Sequence, residues 1–219
     1  MSKETWKHVD QYFSDHLIQS DLVMENLLAS NAAAGLPAID VSESQGKLLN
    51  LLIRLRSAKR ILEFGTLGGY STLWMARALP EGGKITTLEY SEKHAQVAKE
   101  NMKEAGVKNK VEILTGPAIE TLPILASNEN TYDFFFIDAD KKNNPAYVKW
   151  AIELAEPGAC LIVDNVVREG AILNEQVDEE VKGVREMFEM LSNEPRIDST
   201  AIQTVGSKGY DGLLIAVIN

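Results

Sequence analysis

The chain predicts a Rossmann-like α/β fold: a mostly parallel sheet of seven strands with helices on both faces. Three observations carry this. From Arg60 onward short apolar runs alternate with helical stretches, the pattern of parallel strands joined by right-handed crossovers. The first run, Ile61-Leu62-Glu63-Phe64, breaks into Gly65-Thr66-Leu67-Gly68-Gly69 before a helical pattern begins. Strand, glycine turn and helix in that order present a ligand at the carboxyl edge of a doubly wound sheet. Beyond the last crossover, two further runs flank a glycine-bearing turn and read as an antiparallel hairpin.

Taken in order, residues 4–34 carry Val9, Tyr12, Phe13 and Leu17, then Leu22, Val23, Leu27 and Leu28, at mixed three- and four-residue steps. They read as two helical segments; Ser20 or Asp21 can cap the second, and Gly35-Leu36-Pro37 ends it. Ser42 opens a third helix, with Gln45 placed for a capping box and Leu48, Leu49, Leu51, Leu52 and Leu55 along it. One domain is expected over 1–219, its first 57 residues being helices that form a lid or a dimer surface, or simply pack. Strands are expected at 60–64, 84–89, 110–115, 132–137 and 159–163. Helices fill the gaps at 70–79, 92–105, 117–126 and 144–155, and another follows at 174–192. Residues 198–205 and 212–218 form the hairpin around Gly206-Ser207-Lys208-Gly209-Tyr210-Asp211.

Composition narrows the function. With 22 basic and 32 acidic residues the formal charge is −10, which argues against tracking nucleic-acid phosphates or an anionic membrane surface. The single cysteine, Cys160, excludes an intramolecular disulfide and fits a reducing compartment. Met1-Ser2-Lys3-Glu4-Thr5-Trp6 has no apolar core of a signal peptide, and no span offers the ~20 apolar residues that a bilayer requires. A soluble, cytoplasmic protein is expected.

Chemistry concentrates at the strand ends. The spacing G-x-x-G-G does not meet the dinucleotide fingerprint, and Glu63 adds a carboxylate beneath the ligand site, suited to a cationic or hydroxyl-bearing ligand. Glu89, closing the second strand, can accept from both ribose hydroxyls; the alternative is a charge at the start of the next helix. The fourth strand runs into Asp138-Ala139-Asp140-Lys141-Lys142 and the fifth into Asp164-Asn165. If those strands are neighbours, Asp138, Asp164 and Asn165 supply hard oxygen donors suited to Mg²⁺, Ca²⁺ or Mn²⁺, though turn formation alone is an equal reading. Lys141 or Lys142 could then serve as a general base, and spacing does not choose between them.

Glu63-Phe64-Gly65-Thr66-Leu67-Gly68-Gly69-Tyr70-Ser71, Gly116-Pro117-Ala118, Ile137-Asp138-Ala139-Asp140-Lys141 and Asp164-Asn165-Val166 together resemble the cation-dependent O-methyltransferases, the catechol and caffeoyl-CoA type, in their smaller bacterial branch. The similarity runs from about residue 12 to the end of the chain. It implies a class I methyltransferase fold and S-adenosylmethionine held by Glu63, Gly65, Ser71 and the backbone around Val41. In this alignment Glu89 meets the ribose, Ala118 the adenine, and Asp138 and Asp140 also face the cofactor. The resemblance makes Asp138, Asp164 and Asn165 ligands of Mg²⁺ (or Ca²⁺ or Mn²⁺), and makes Lys141 the catalytic base. It implies a catechol-type acceptor, such as a phenylpropanoid or flavonoid, and a homodimer. An NAD-type oxidoreductase is disfavoured by the missing fingerprint, the terminal hairpin and the lack of Tyr-x-x-x-Lys; a non-catalytic cofactor binder is disfavoured by the retained Asp138, Lys141, Asp164 and Asn165.

Overall fold

Arg60–Phe64 forms β1, the third strand across a seven-stranded sheet in the computed structural model, which describes residues 2–219. Lys84–Glu89 (β2) and Val111–Thr115 (β3) extend the sheet to one side. Tyr132–Ile137 (β4) and Ala155–Asp164 (β5) extend it to the other. The order is β3-β2-β1-β4-β5-β7-β6; β1 to β5 pair in parallel, whereas Gly209–Ile218 (β7) and Ile197–Gly206 (β6) pair antiparallel. The direction of winding reverses between β1 and β4, where such sheets open a ligand crevice.

Alternation along the strands splits the core in two. Leu62, Phe64, Phe135, Ile137, Leu161 and Val163 pack against one helical layer, which contributes Leu122, Leu125, Val148, Val184 and Met187. Ile61, Phe134, Phe136 and Ile162 face the other layer, with Met24, Leu49, Ile53, Leu73 and Met75. Burial on both faces explains why β4 is an unbroken apolar run after Asp133 instead of alternating with polar residues.

The helices are Lys3–Leu17 (α1), Leu22–Ala33 (α2), Glu43–Arg56 (α3), Tyr70–Ala78 (α4), Glu92–Glu104 (α5), Ala118–Ser127 (α6), Asn144–Glu153 (α7) and Glu179–Leu191 (α8). Asp21, not Ser20, caps α2 by accepting from the Val23 amide at 3.0 Å; the Ser20 hydroxyl turns instead to Glu25. Only half of the expected capping box forms on α3. Ser42 Oγ accepts from the Gln45 amide at 3.2 Å, while the Gln45 side chain faces the Asp164 carboxylate. No residue of α1 is buried; it lies along α3 and β6 and leaves Val9, Tyr12, Phe13 and Leu17 exposed. Among the described residues no helix is long and apolar enough to cross a membrane.

Three boundaries differ from expectation, each for a local reason. β5 begins at Ala155, because Glu156-Pro157-Gly158 joins the strand without apolar alternation and shifts the register opposite Tyr132 and Phe134. The expected helix at 174–192 starts only at Glu179, after the Asp178 side chain accepts from the Val181 amide; Arg168–Leu173 ahead of it is a tight turn broken by left-handed Glu169 and Gly170. The hairpin turn shrinks to Ser207-Lys208 because the strands pair as far as Gly206 and Gly209.

Asp133 fixes the start of β1 against β4. It is 7% exposed, and its two oxygens accept from the Lys59 and Arg60 amides at 2.8 and 3.0 Å. Asp133→Ala should therefore cost about 2–3 kcal/mol, the penalty for stranding buried donors. Asp133→Asn, which keeps one acceptor, should cost about half of that. Urea denaturation checks this through the midpoint at unchanged slope; an alanine variant as stable as the parent would refute it.

Candidate active site

Three strand ends leave the sheet at one level. Phe64 stands opposite Ile137, and Ile137 opposite Val163, so Gly65, Asp138 and Asp164 follow side by side across adjacent strands about 4.8 Å apart. The neighbourhood on which the metal reading depended is therefore present. Gly65 has φ +92°, and a Cβ there would lie 2.3 Å from the Asp138 carbonyl oxygen, so only glycine lets the two turns pass. Glu89 then pins the glycine turn: Oε2 accepts from the Thr66 and Leu67 amides at 3.1 and 2.8 Å. Its Oε1 accepts from the Ser91 amide at 2.9 Å, which fills the helix-start role as well.

A cleft of about 840 Å³ opens over these ends. Val41, Gly65, Ser71, Glu89, Ala118 and Asp140 line it, as do Asp138, Lys141 and Asn165. Glu63 stands one layer behind the wall. It is fully buried, and its two oxygens accept from the Ser71 and Thr72 hydroxyls, each at 2.5 Å, so Ser71 is what meets the cleft. Burial pushes the Glu63 carboxyl up to about 7, with the Ser71 and Thr72 hydroxyls pulling it back part of the way. Asp140 accepts from the Tyr147 hydroxyl at 2.6 Å and from Asn143 Nδ2 at 2.5 Å. Burial and then Asp140 raise the Tyr147 hydroxyl well above its ordinary value, so it remains a donor.

The two lysines separate cleanly. Lys141 is 4% exposed and its Nζ donates to Asp138 Oδ1 at 2.7 Å; Lys142 is exposed. Asp164 is nearly buried and does not line the cleft. Its carboxyl is raised, by burial first and then by the Asp138 charge, while Lys141 and Gln45 act in the other direction. Among the described residues no three His, Cys, Asp or Glu side chains gather at metal-binding distance. A cation here would rest on two carboxylates and the Asn165 amide, a sparse donor set that leaves positions for water and acceptor oxygens. Two crowded carboxylates facing one ammonium fit a further positive charge.

Spacing did not point to the parts that hold the lysine turn. Glu180, near the start of α8, accepts from the Lys141 amide at 2.6 Å. Gly183, one turn on, allows α8 to touch that turn: a Cβ there would lie 2.3 Å from the Lys141 carbonyl oxygen and 2.5 Å from Lys142 Cα. A glycine inside an otherwise helical pattern was the available signal, since it costs about 1 kcal/mol against alanine and so implies a packing reason.

Glu63 makes stability depend on pH in a stated direction. Its folded value of about 7 lies above the 4.5 of an ordinary glutamate, so the folded state holds this proton more tightly. The corresponding stability is fully present below pH 4.5 and is lost as pH rises through 7. Thermal unfolding of the ligand-free protein should show Glu63→Gln gaining on the parent between those values. A difference between the two that is flat in pH would contradict the assignment.

The O-methyltransferase family model matches residues 14–216. An O-methyltransferase of Bacillus cereus, solved with SAH, superposes with a TM-score of 0.98 at 52% identity over the whole of both chains. A catechol O-methyltransferase of Mycobacterium tuberculosis is 48% identical over 96% of this chain and 94% of its own. A catechol O-methyltransferase of Niastella koreensis is 46% identical across the full length of both. The chain belongs to the class I, S-adenosylmethionine-dependent O-methyltransferase family.

Proposed function

We propose that this enzyme methylates one hydroxyl of a catechol-type acceptor, with a divalent cation held by Asp138, Asp164 and Asn165. The observation that carries the reading is the pairing of buried Lys141 with Asp138, next to Asp164 on the neighbouring strand, at the mouth of a nucleoside-sized cleft. S-Adenosylmethionine supplies an electrophilic methyl group on a sulfonium. Glu89 receives its ribose, the backbone at Ala118 its adenine, and Val41, Ser71, Asp138 and Asp140 the remainder, with Glu63 fixing the Ser71 hydroxyl from behind. Mg²⁺, or Ca²⁺ or Mn²⁺, held by Asp138, Asp164 and Asn165 would supply Lewis acidity toward acceptor oxygens, a chemistry that would favour vicinal diols over monophenols. Lys141 Nζ, in its neutral amine form, takes the proton of the attacking hydroxyl. The new O–CH₃ bond forms as the S–CH₃ bond breaks, and the residues around the cleft contribute mainly by orientation. The catechol names of the relatives at 46% and 48% identity support the acceptor class.

Chelation with EDTA should abolish turnover of a catechol and added Mg²⁺ should restore it; activity that persists after thorough chelation would remove the cation from the reaction. Lys141→Ala should lower kcat by about 10²- to 10⁴-fold, the range of a general base. Cofactor affinity, read by titration calorimetry, should change little. Equal losses in both would assign Lys141 a structural role instead.

A further inference from the structure

We propose that the acceptor carries a carboxylate and that Arg168 reads it. This rests on the catechol reading above and narrows the acceptor to acidic catechols.

The argument starts from the charges that line the cleft. Each of its carboxylates is engaged: Glu89 by three backbone amides, Asp140 by Tyr147 and Asn143, Glu180 by the Lys141 amide, Asp138 by Lys141 Nζ, and Asp40 by Asn31 Nδ2 at 3.1 Å. Two cations on the same wall, Lys142 and Arg168, are left over. Lys142 is exposed and screened by water, whereas Arg168 is half-buried.

Arg168 is unlike the other six of the seven arginines. The side chains of Arg56, Arg60, Arg77, Arg185 and Arg196 all donate to protein oxygens, and Arg54 is exposed. The Arg168 side chain makes no hydrogen bond or ion pair with any described residue, although acids outnumber bases in the chain by 32 to 22. Its backbone is nevertheless held tightly. Arg168 and Glu169 both have φ +55°, and Asp211 Oδ1 accepts from the Val167 and Arg168 amides, each at 2.9 Å. Non-glycine residues in that region are uncommon and cost energy, so the loop is fixed at some expense, three residues beyond Asn165. A guanidinium so placed offers a planar pair of donors that matches a carboxylate on two points.

The test compares 3,4-dihydroxybenzoate with its methyl ester, in the presence of Mg²⁺ and S-adenosylmethionine. The parent should favour the acid in kcat/KM by about 10- to 100-fold, the size of one charge-assisted contact, and chiefly through KM. Arg168→Gln should bring that ratio towards one, and Arg168→Lys should keep part of it. Added salt should erode the preference in the parent, a measurement that needs no variant and decides the matter if Arg168→Gln does not fold. A parent with no preference for the acid, or a ratio unmoved by Arg168→Gln, would overturn the proposal. If neither diol is methylated, the catechol reading has failed on its own account. Calorimetric titration of the acid and the ester into protein with SAH and Mg²⁺ then still reports on Arg168: weaker acid binding in the variant supports the assignment, and equal binding refutes it.

Discussion

Ile137 lies opposite Phe64 on one side and Val163 on the other, and that single line across the sheet dictates where polar chemistry can begin. Below it the three central strands are shut off from water, and a charge placed there must be neutralised or hydrogen-bonded at high cost. Glu63 is the one carboxylate sunk below the line on β1; it is held by two hydroxyls and titrates far above its usual range. Above the line the chains turn away together. The Asp138 amide donates to the Phe64 carbonyl at 2.9 Å, and the Gly65 amide to the Leu88 carbonyl at 2.9 Å, so the turns continue the ladder for one more step. Flush strand ends therefore convert a hydrophobic register into a row of oxygen donors.

A row of donors is not yet a preorganised site, and the remainder of the rigidity comes from segments distant in sequence. Glu89 reaches from β2 to the glycine turn after β1. Glu180 and Gly183 bring α8 onto the lysine turn from about forty residues downstream. Asp211 reaches from β7 to hold the loop that follows Asn165. Each tie uses a carboxylate to satisfy backbone amides that a turn would otherwise leave unpaired, so local strain at the ligand face is offset by bonds made behind it.

This division explains what could be read before the fold was in view. The strand at 132–137 announces itself because burial on both faces demands an apolar run, that at 60–64 through Ile61, Leu62 and Phe64 ahead of the glycines, and that at 84–89 through β-branched Ile85-Thr86-Thr87. The residues at their ends are legible because a parallel sheet exposes only that edge to ligands. What stayed hidden depends on packing between distant elements. Gln45 looked like half of a helix cap, and only the approach of α3 to β5 turns its side chain towards Asp164. Lys141 is buried against Asp138 while Lys142 is exposed, a difference that neighbouring positions in a sequence do not reveal. The early start of β5 escaped because a Pro-Gly pair mimics a turn even where the strand continues through a bulge.

One rim of the sheet has a different consequence. β6 is ten residues long, pairs only with β7, and is exposed along nearly its whole length, Ile202 and Val205 included. Such a margin is a template for unwanted strand addition. α1 lies against part of it, where the Ser207 amide donates to Asp10 Oδ2 at 2.6 Å. Helix α1, which buries none of its own residues, covers part of that margin, so trimming it for crystallisation or fusion would uncover more of a strand edge already open to pairing.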